Sequence, residues 1–147
     1  MNPDFSDMLS ALSDEGVEYL VIGAYAMAMH GVPRATGDID VWVRPSPDNA
    51  DRVLRALARF GAPLGSLGAA DLTGEGTVFQ VGIAPNRVDV MTGIDGVNFD
   101  EAWSHRETRT IDGLKVAVIG RDDLIRNKRA TGRTRDRADA ELLEGMK

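Results

Sequence analysis

Two aspartates one residue apart, Asp38-Ile39-Asp40, follow a glycine, Gly23, that ends a short apolar run. In an extended chain alternate side chains share a face, so Asp38 and Asp40 project together with Cα atoms about 6.7 Å apart. Carboxylates that close repel, and a cation between them removes the conflict. A third acid, Asp89, sits in Arg87-Val88-Asp89-Val90-Met91, again alternating with apolar residues. If the two strands are neighbours, about 4.8 Å apart, the three carboxylates converge. Such a set can hold two Mg²⁺ ions roughly 3.5–4 Å apart, one activating an attacking hydroxyl and one clamping a leaving phosphate. Gly23 stands where a strand gives way to a helix, and there backbone N–H groups and the positive helix end can meet a phosphate. The chemistry implied is metal-dependent and acts on nucleotides.

A solvent-facing acidic pair on an edge strand has the same spacing. Against that reading, Ile39, Val41 and Val43 fill the opposite face, and Trp42 shares the aspartate face. For Asp89 the competing arrangement is a surface ion pair with Arg87.

Holding these residues in place requires buried strands over 17–22 and 38–44 with a short Ala- and Met-rich helix, 24–30, between them. Gly31 suits the residue just past that helix, and Pro33 stops it. An opening helix over 5–13 carries a Phe5, Met8, Leu9, Leu12 stripe. Ser46 as cap and Pro47 as first residue start a helix reaching about Phe60, with Val53, Leu54, Leu57 and Phe60 inward. Residues 61–76 hold five glycines and few large side chains, as in a loop over a substrate or a plain connector. Strands over 77–83 and 87–92 form a hairpin around Ala84-Pro85-Asn86, followed by a short helix over 99–104. A second hairpin joins 108–111 to 114–119 through Asp112-Gly113. Helices over 121–130 and 134–146 close the chain.

With 147 residues, 43% of them hydrophobic and 27% charged, the sequence fits one globular α/β (α+β) domain, a core over about 1–120 and a C-terminal helical pair over about 121–147. The absence of cysteine excludes thiolate nucleophiles and zinc–thiolate centres. The acidic N-terminus lacks the basic start of a signal peptide, and no apolar run spans a bilayer, so a cytoplasmic location without membrane contact is expected. The net charge of −6 is uneven: residues 121–147 carry 8 Lys/Arg against 6 Asp/Glu, whereas residues 1–120 carry 9 against 17. Lys128, Arg129 and Arg133 therefore form either a phosphate- or acceptor-binding patch or a solvated helix face. Asp136 and Asp139, one helical turn apart, either join that patch or pair with Arg133 and Arg135. Arg34 and Thr36 either reach phosphate or anchor their loop, and a structural role is expected for His30.

Gly23-Ala24, Asp38-Ile39-Asp40 and the later Asp89 resemble the nucleotidyltransferase superfamily typified by DNA polymerase β. The run from His30 to Asp40 is similar to small bacterial nucleotidyltransferases. Lys128, Arg135 and Asp136-Arg137-Ala138-Asp139 resemble the tail of abortive-infection (type IV) toxin nucleotidyltransferases. The likeness covers about residues 17–92 and 121–140. It implies a mixed, twisted sheet with flanking helices, helices mainly on one side, and transfer of a nucleoside monophosphate from an NTP to an acceptor hydroxyl. It implies catalytic and Mg²⁺-binding roles for Asp38, Asp40 and Asp89, nucleotide contacts from Gly23, Ala24, Arg34, Thr36 and Lys128, and a cognate toxin or antitoxin as partner. RNA, a protein side chain and a small antibiotic all remain open as acceptors, and the competing functions are an antitoxin-type nucleotidyltransferase that modifies its partner toxin and a catalytically silent nucleotide- or partner-binding module. Two positions depart from the pattern. Ala24 stands where Ser or Gly is usual, leaving only backbone N–H for phosphate, and Thr131 stands where the tail usually has Ala.

Overall fold

A computed structural model describes residues 1–83 and 85–146. Helix α1 (Pro3–Asp14) is capped by Asn2, whose side chain accepts from the Asp4 amide at 2.8 Å, and its Phe5, Met8, Leu9 and Leu12 stripe is buried. The apolar run that follows becomes β1 (Tyr19–Ile22), buried at every residue. Helix α2 (Gly23–Met29) starts with no linker at all. Strand β2 (Asp38–Val43) returns antiparallel to β1. Ser46 then caps α3 (Pro47–Phe60), its Oγ accepting from the Asn49 amide.

Residues 61–77 connect α3 to the next strand. A short 3₁₀ turn, Ala69–Leu72, packs on α3 and buries Leu72. Strands β3 (Val78–Val81) and β4 (Arg87–Met91) pair antiparallel. The turn expected between them includes Ala84, which lies outside the described residues. Helix α4 (Phe99–Ser104) leads to the hairpin of β5 (Glu107–Ile111) and β6 (Leu114–Val118). Asp112 and Gly113 at its tip have φ of +51° and +79°, the left-handed pair that a tight hairpin turn demands. Helices α5 (Arg121–Ala130) and α6 (Thr134–Gly145) pack on each other. Among the described residues no helix is long and apolar enough to cross a membrane.

The strands form one mixed sheet in the order β3-β4-β2-β1-β6-β5. Strand β2 lies between β1, antiparallel, and β4, parallel, in a register that sets Asp40 opposite both Ile22 and Asp89. Parallel pairing needs a long crossover, and α3, the connector and β3 provide it. On the aspartate face Trp42 is buried edge-on to Phe99 at 5.1 Å, and Phe99 stacks on Trp103. The acids thus stand at the rim of a packed aromatic floor.

Asn49 locks the other end of the β1–β2 pair. Its Oδ1 accepts from the Glu18 amide at 2.8 Å, and its Nδ2 donates to the carbonyls of Glu18 at 3.1 Å and Arg44 at 3.0 Å. The side chain is only 1% exposed, so removing it strands backbone groups without water. Asn49→Ala should cost about 2–4 kcal/mol and lower Tm by roughly 5–15 °C. Denaturant unfolding checks this, and a loss within about 0.5 kcal/mol would show that the clamp is not structural.

Candidate active site

Strand alternation and the β2–β4 register bring Asp38, Asp40 and Asp89 together, with one carboxylate oxygen of each within 4.8 Å of the others. Their surroundings differ. Asp38 accepts from the Thr36 hydroxyl at 2.7 Å and from the Arg87 guanidinium, and these contacts hold its carboxyl below the usual carboxylate range. Asp89 is buried, with Arg87 Nε 3.1 Å from its Oδ1. The alignment is poor enough that neither of those two buried atoms makes a hydrogen bond. Burial, with Asp38 and Asp89 alongside, raises Asp40 to about 7.

Gly23 is shaped by Asp40 as much as by any phosphate. Its φ is +65°, and a Cβ there would lie 2.2 Å from Asp40 Oδ2. Any side chain at this position strikes the carboxylate, so the glycine makes room for the acid.

The sequence-selected residues of the tail reach the same cleft. A hollow of about 360 Å³ is bordered by Gly23, Ala24, Arg34, Thr36, Asp40 and Lys128. A second, of about 310 Å³, lies against Asp40 and Lys128 with Met91, Ile94, Asp95 and Asn127 around it. Lys128 Nζ is 3.3 Å from both Asp136 Oδ1 and Asp139 Oδ2. Lys128 therefore pairs with its own tail and faces the acids at once. Arg34 binds Asp139 rather than standing free, and Arg133 Nε lies 3.1 Å from Asp136. Burial works against ionisation of Asp136, but the Thr131 hydroxyl at 2.7 Å and the Lys128 ammonium outweigh it and keep that carboxyl low. His30 is structural, its Nε2 lying 2.8 Å from the Ile119 carbonyl.

Sequence reasoning missed the link from Arg34 to Asp139, since no local pattern joins residues so distant. It also missed Asp95 and Asn127. Glu101, His105 and Asp123 form another close group, but Asp123 is already engaged by His105 Nδ1 at 3.0 Å and by Arg126. That group ties α4 to α5.

The orphaned oxygen of Asp89, buried beside two further carboxylates, suits a hard divalent cation such as Mg²⁺, which prefers oxygen ligands. Residues 2–146 match the model of a family described as nucleotidyl transferase of unknown function (DUF2204). The chain belongs to that family. No curated protein matches this nucleotidyltransferase in sequence. Its fold is shared with solved structures at low identity, among them the following three. A candidate nucleotidyltransferase (TM1012) from Thermotoga maritima is 18% identical with TM-score 0.60, covering 96% of this chain and 88% of that one. The antibiotic-resistance factor ANT(2'')-Ia is 14% identical with TM-score 0.63, covering 95% and 80%. An antigenic nucleotidyltransferase-like protein from Paracoccidioides brasiliensis is 17% identical with TM-score 0.55, covering 97% and 74%. The mixed sheet with flanking helices and a C-terminal helical pair is thus the nucleotidyltransferase fold.

In this nucleotidyltransferase the raised Asp40 carboxyl makes metal-free stability depend on pH. The neutral acid's favourable contribution is complete below the ordinary value of about 3.8 and disappears as pH rises through about 7. Asp40→Asn removes that loss, so the mutant should melt above wild type at pH 8 and coincide with it near pH 4. The ceiling on the difference is about 4 kcal/mol. Mg²⁺ should raise the wild-type Tm and not the mutant's. Thermal melts across pH check this, and a mutant markedly less stable than wild type at pH 8 would make Asp40 a structural carboxylate.

Proposed function

We propose that this nucleotidyltransferase transfers a nucleoside monophosphate from an NTP to an acceptor hydroxyl, using Mg²⁺ held by Asp38, Asp40 and Asp89. The observation that carries the reading is the convergence of these three carboxylates beside a cleft bordered by Lys128. Bound Mg²⁺ supplies neutralisation of charge on the phosphoryl oxygens and activation of the acceptor hydroxyl. The acceptor oxygen bonds to the α-phosphorus as the bond to the bridging α–β oxygen breaks, pyrophosphate leaves, and Asp89 accepts the hydroxyl proton.

The remaining residues orient and neutralise. Gly23 and Ala24 offer backbone N–H to the triphosphate, with no hydroxyl from Ala24 to assist. The contacts of Thr36 with Asp38 and of Arg34 with Asp139 favour positioning roles, holding one metal ligand and the loop behind it. A triphosphate brings about four negative charges. Three aspartates already offset much of the metal's charge, so the Lys128 ammonium supplies a needed positive charge at the cleft.

Within this reading the protein acts as the nucleotidyltransferase of a toxin–antitoxin pair, with RNA as acceptor. The exposed Arg133 and the cleft-lining Arg135 support a polyanionic acceptor. Ala24 favours the rival, a nucleotide-binding module without turnover. Incubation with α-labelled NTP, with and without Mg²⁺, against RNA, protein and small-antibiotic fractions separates these readings. Mg²⁺-dependent label in RNA is expected. Label in protein alone would replace the acceptor by a partner protein, and NTP binding without label would leave the silent module. Lys128→Ala should weaken NTP binding about tenfold or more, the more so at low salt. Unchanged affinity in a nucleotide titration would return Lys128 to a purely structural pairing.

A further inference from the structure

Arg87 reaches two of the three carboxylates that converge at the rim of the sheet. It lies two residues before Asp89 on the same strand face and directly opposite Asp38 in the β2–β4 register. Its Nη2 donates to Asp38 Oδ2 and, at 3.3 Å, to Asp89 Oδ2, while its Nε lies 3.1 Å from Asp89 Oδ1. Two of the three converging carboxylates are thus already bridged by a cation that belongs to the chain.

The fit is incomplete. Arg87 Nε and Asp89 Oδ1 are both buried, and neither has a hydrogen-bond partner among the described residues. A guanidinium donates along fixed directions in a plane, so closeness without alignment leaves both atoms unsatisfied. A spherical ion has no such directional demand and would serve the Asp89 oxygen better. The Arg87 side chain is 35% exposed, so it has open solvent into which to withdraw.

We propose that Arg87 is a resident counter-ion that holds Asp38 and Asp89 together in the metal-free protein and competes with a divalent cation for them. This rests on the reading of Asp38, Asp40 and Asp89 as the metal site. It goes beyond that reading by assigning Arg87 the setting of metal affinity. The protein would therefore load weakly until ion, nucleotide or both displace the guanidinium.

The competition is testable without any turnover. Mn²⁺ is titrated into the protein, free ion is followed by electron paramagnetic resonance, and the Mn²⁺-induced change in Tm is recorded in parallel. Arg87→Gln removes the internal cation, so Mn²⁺ should bind about tenfold more tightly or better, as loss of a competing charge at contact distance implies. Its metal-free Tm should fall, because three carboxylates then repel without a counter-ion, and Mn²⁺ should restore more of it than in wild type. Affinity equal to or weaker than wild type would overturn the proposal and make Arg87 a positioning residue for Asp38 and Asp89.

Should Arg87→Gln fail to fold without metal, Arg87→Lys answers the same question. It keeps the charge but loses the fork that reaches both acids, so a gain of about threefold is expected, and no gain overturns the proposal. Asp40→Asn in the same titration separates the two levels of inference. If it abolishes Mn²⁺ binding while Arg87→Gln leaves affinity unchanged, only the counter-ion role falls. If it binds like wild type, the metal site itself falls, and the counter-ion role with it.

Discussion

Three carboxylates held within one small radius repel, and the sheet must hold them there. The β2–β4 pairing is parallel and in register over five residue pairs, and β1 braces β2 from the other side. Hydrogen bonds along these ladders and the buried Ile39, Val41, Val88 and Val90 fix the strands regardless of what the acids prefer. The alternation that points apolar residues into the core points Asp38, Asp40 and Asp89 out to a common rim. Site and core are therefore two faces of a single pattern.

Each acid meets the repulsion differently. Asp38 takes a hydroxyl and a guanidinium, Asp89 retreats into the sheet beside the same guanidinium, and Asp40 gives up part of its acidity. The tail repeats the theme with opposite emphasis. There Lys128 lies between Asp136 and Asp139, and Arg34 pairs with Asp139, so both cations are tied to the tail. The cleft between is bordered by charges of both signs.

Much of this was legible in the residues. Period-two alternation around Asp38 and Asp89 gave both strands and their outward acids, and capping chemistry at Ser46-Pro47 and Asp112-Gly113 gave element boundaries. What the residues could not give was distance across the chain. Nothing local joins Arg34 to Asp139, or gives Asn49 its grip on Glu18 and Arg44. Gly23 shows a subtler limit. Its type suggested backbone access for a phosphate, and the structure adds a second reason for it: a Cβ there would strike Asp40 of the neighbouring strand. In the glycine-rich connector a low count of large side chains hides how firmly Leu72 is buried.

The Arg34–Asp139–Lys128–Asp136 chain of charges draws on three separate stretches of sequence. Losing any single member leaves its former partner charged and poorly hydrated, which is costlier than losing the pair. Loss of one member is therefore penalised more than exchange of a whole ion pair. Among relatives these positions should change in concert, leaving a correlated signature in the family's history even where each column alone looks variable.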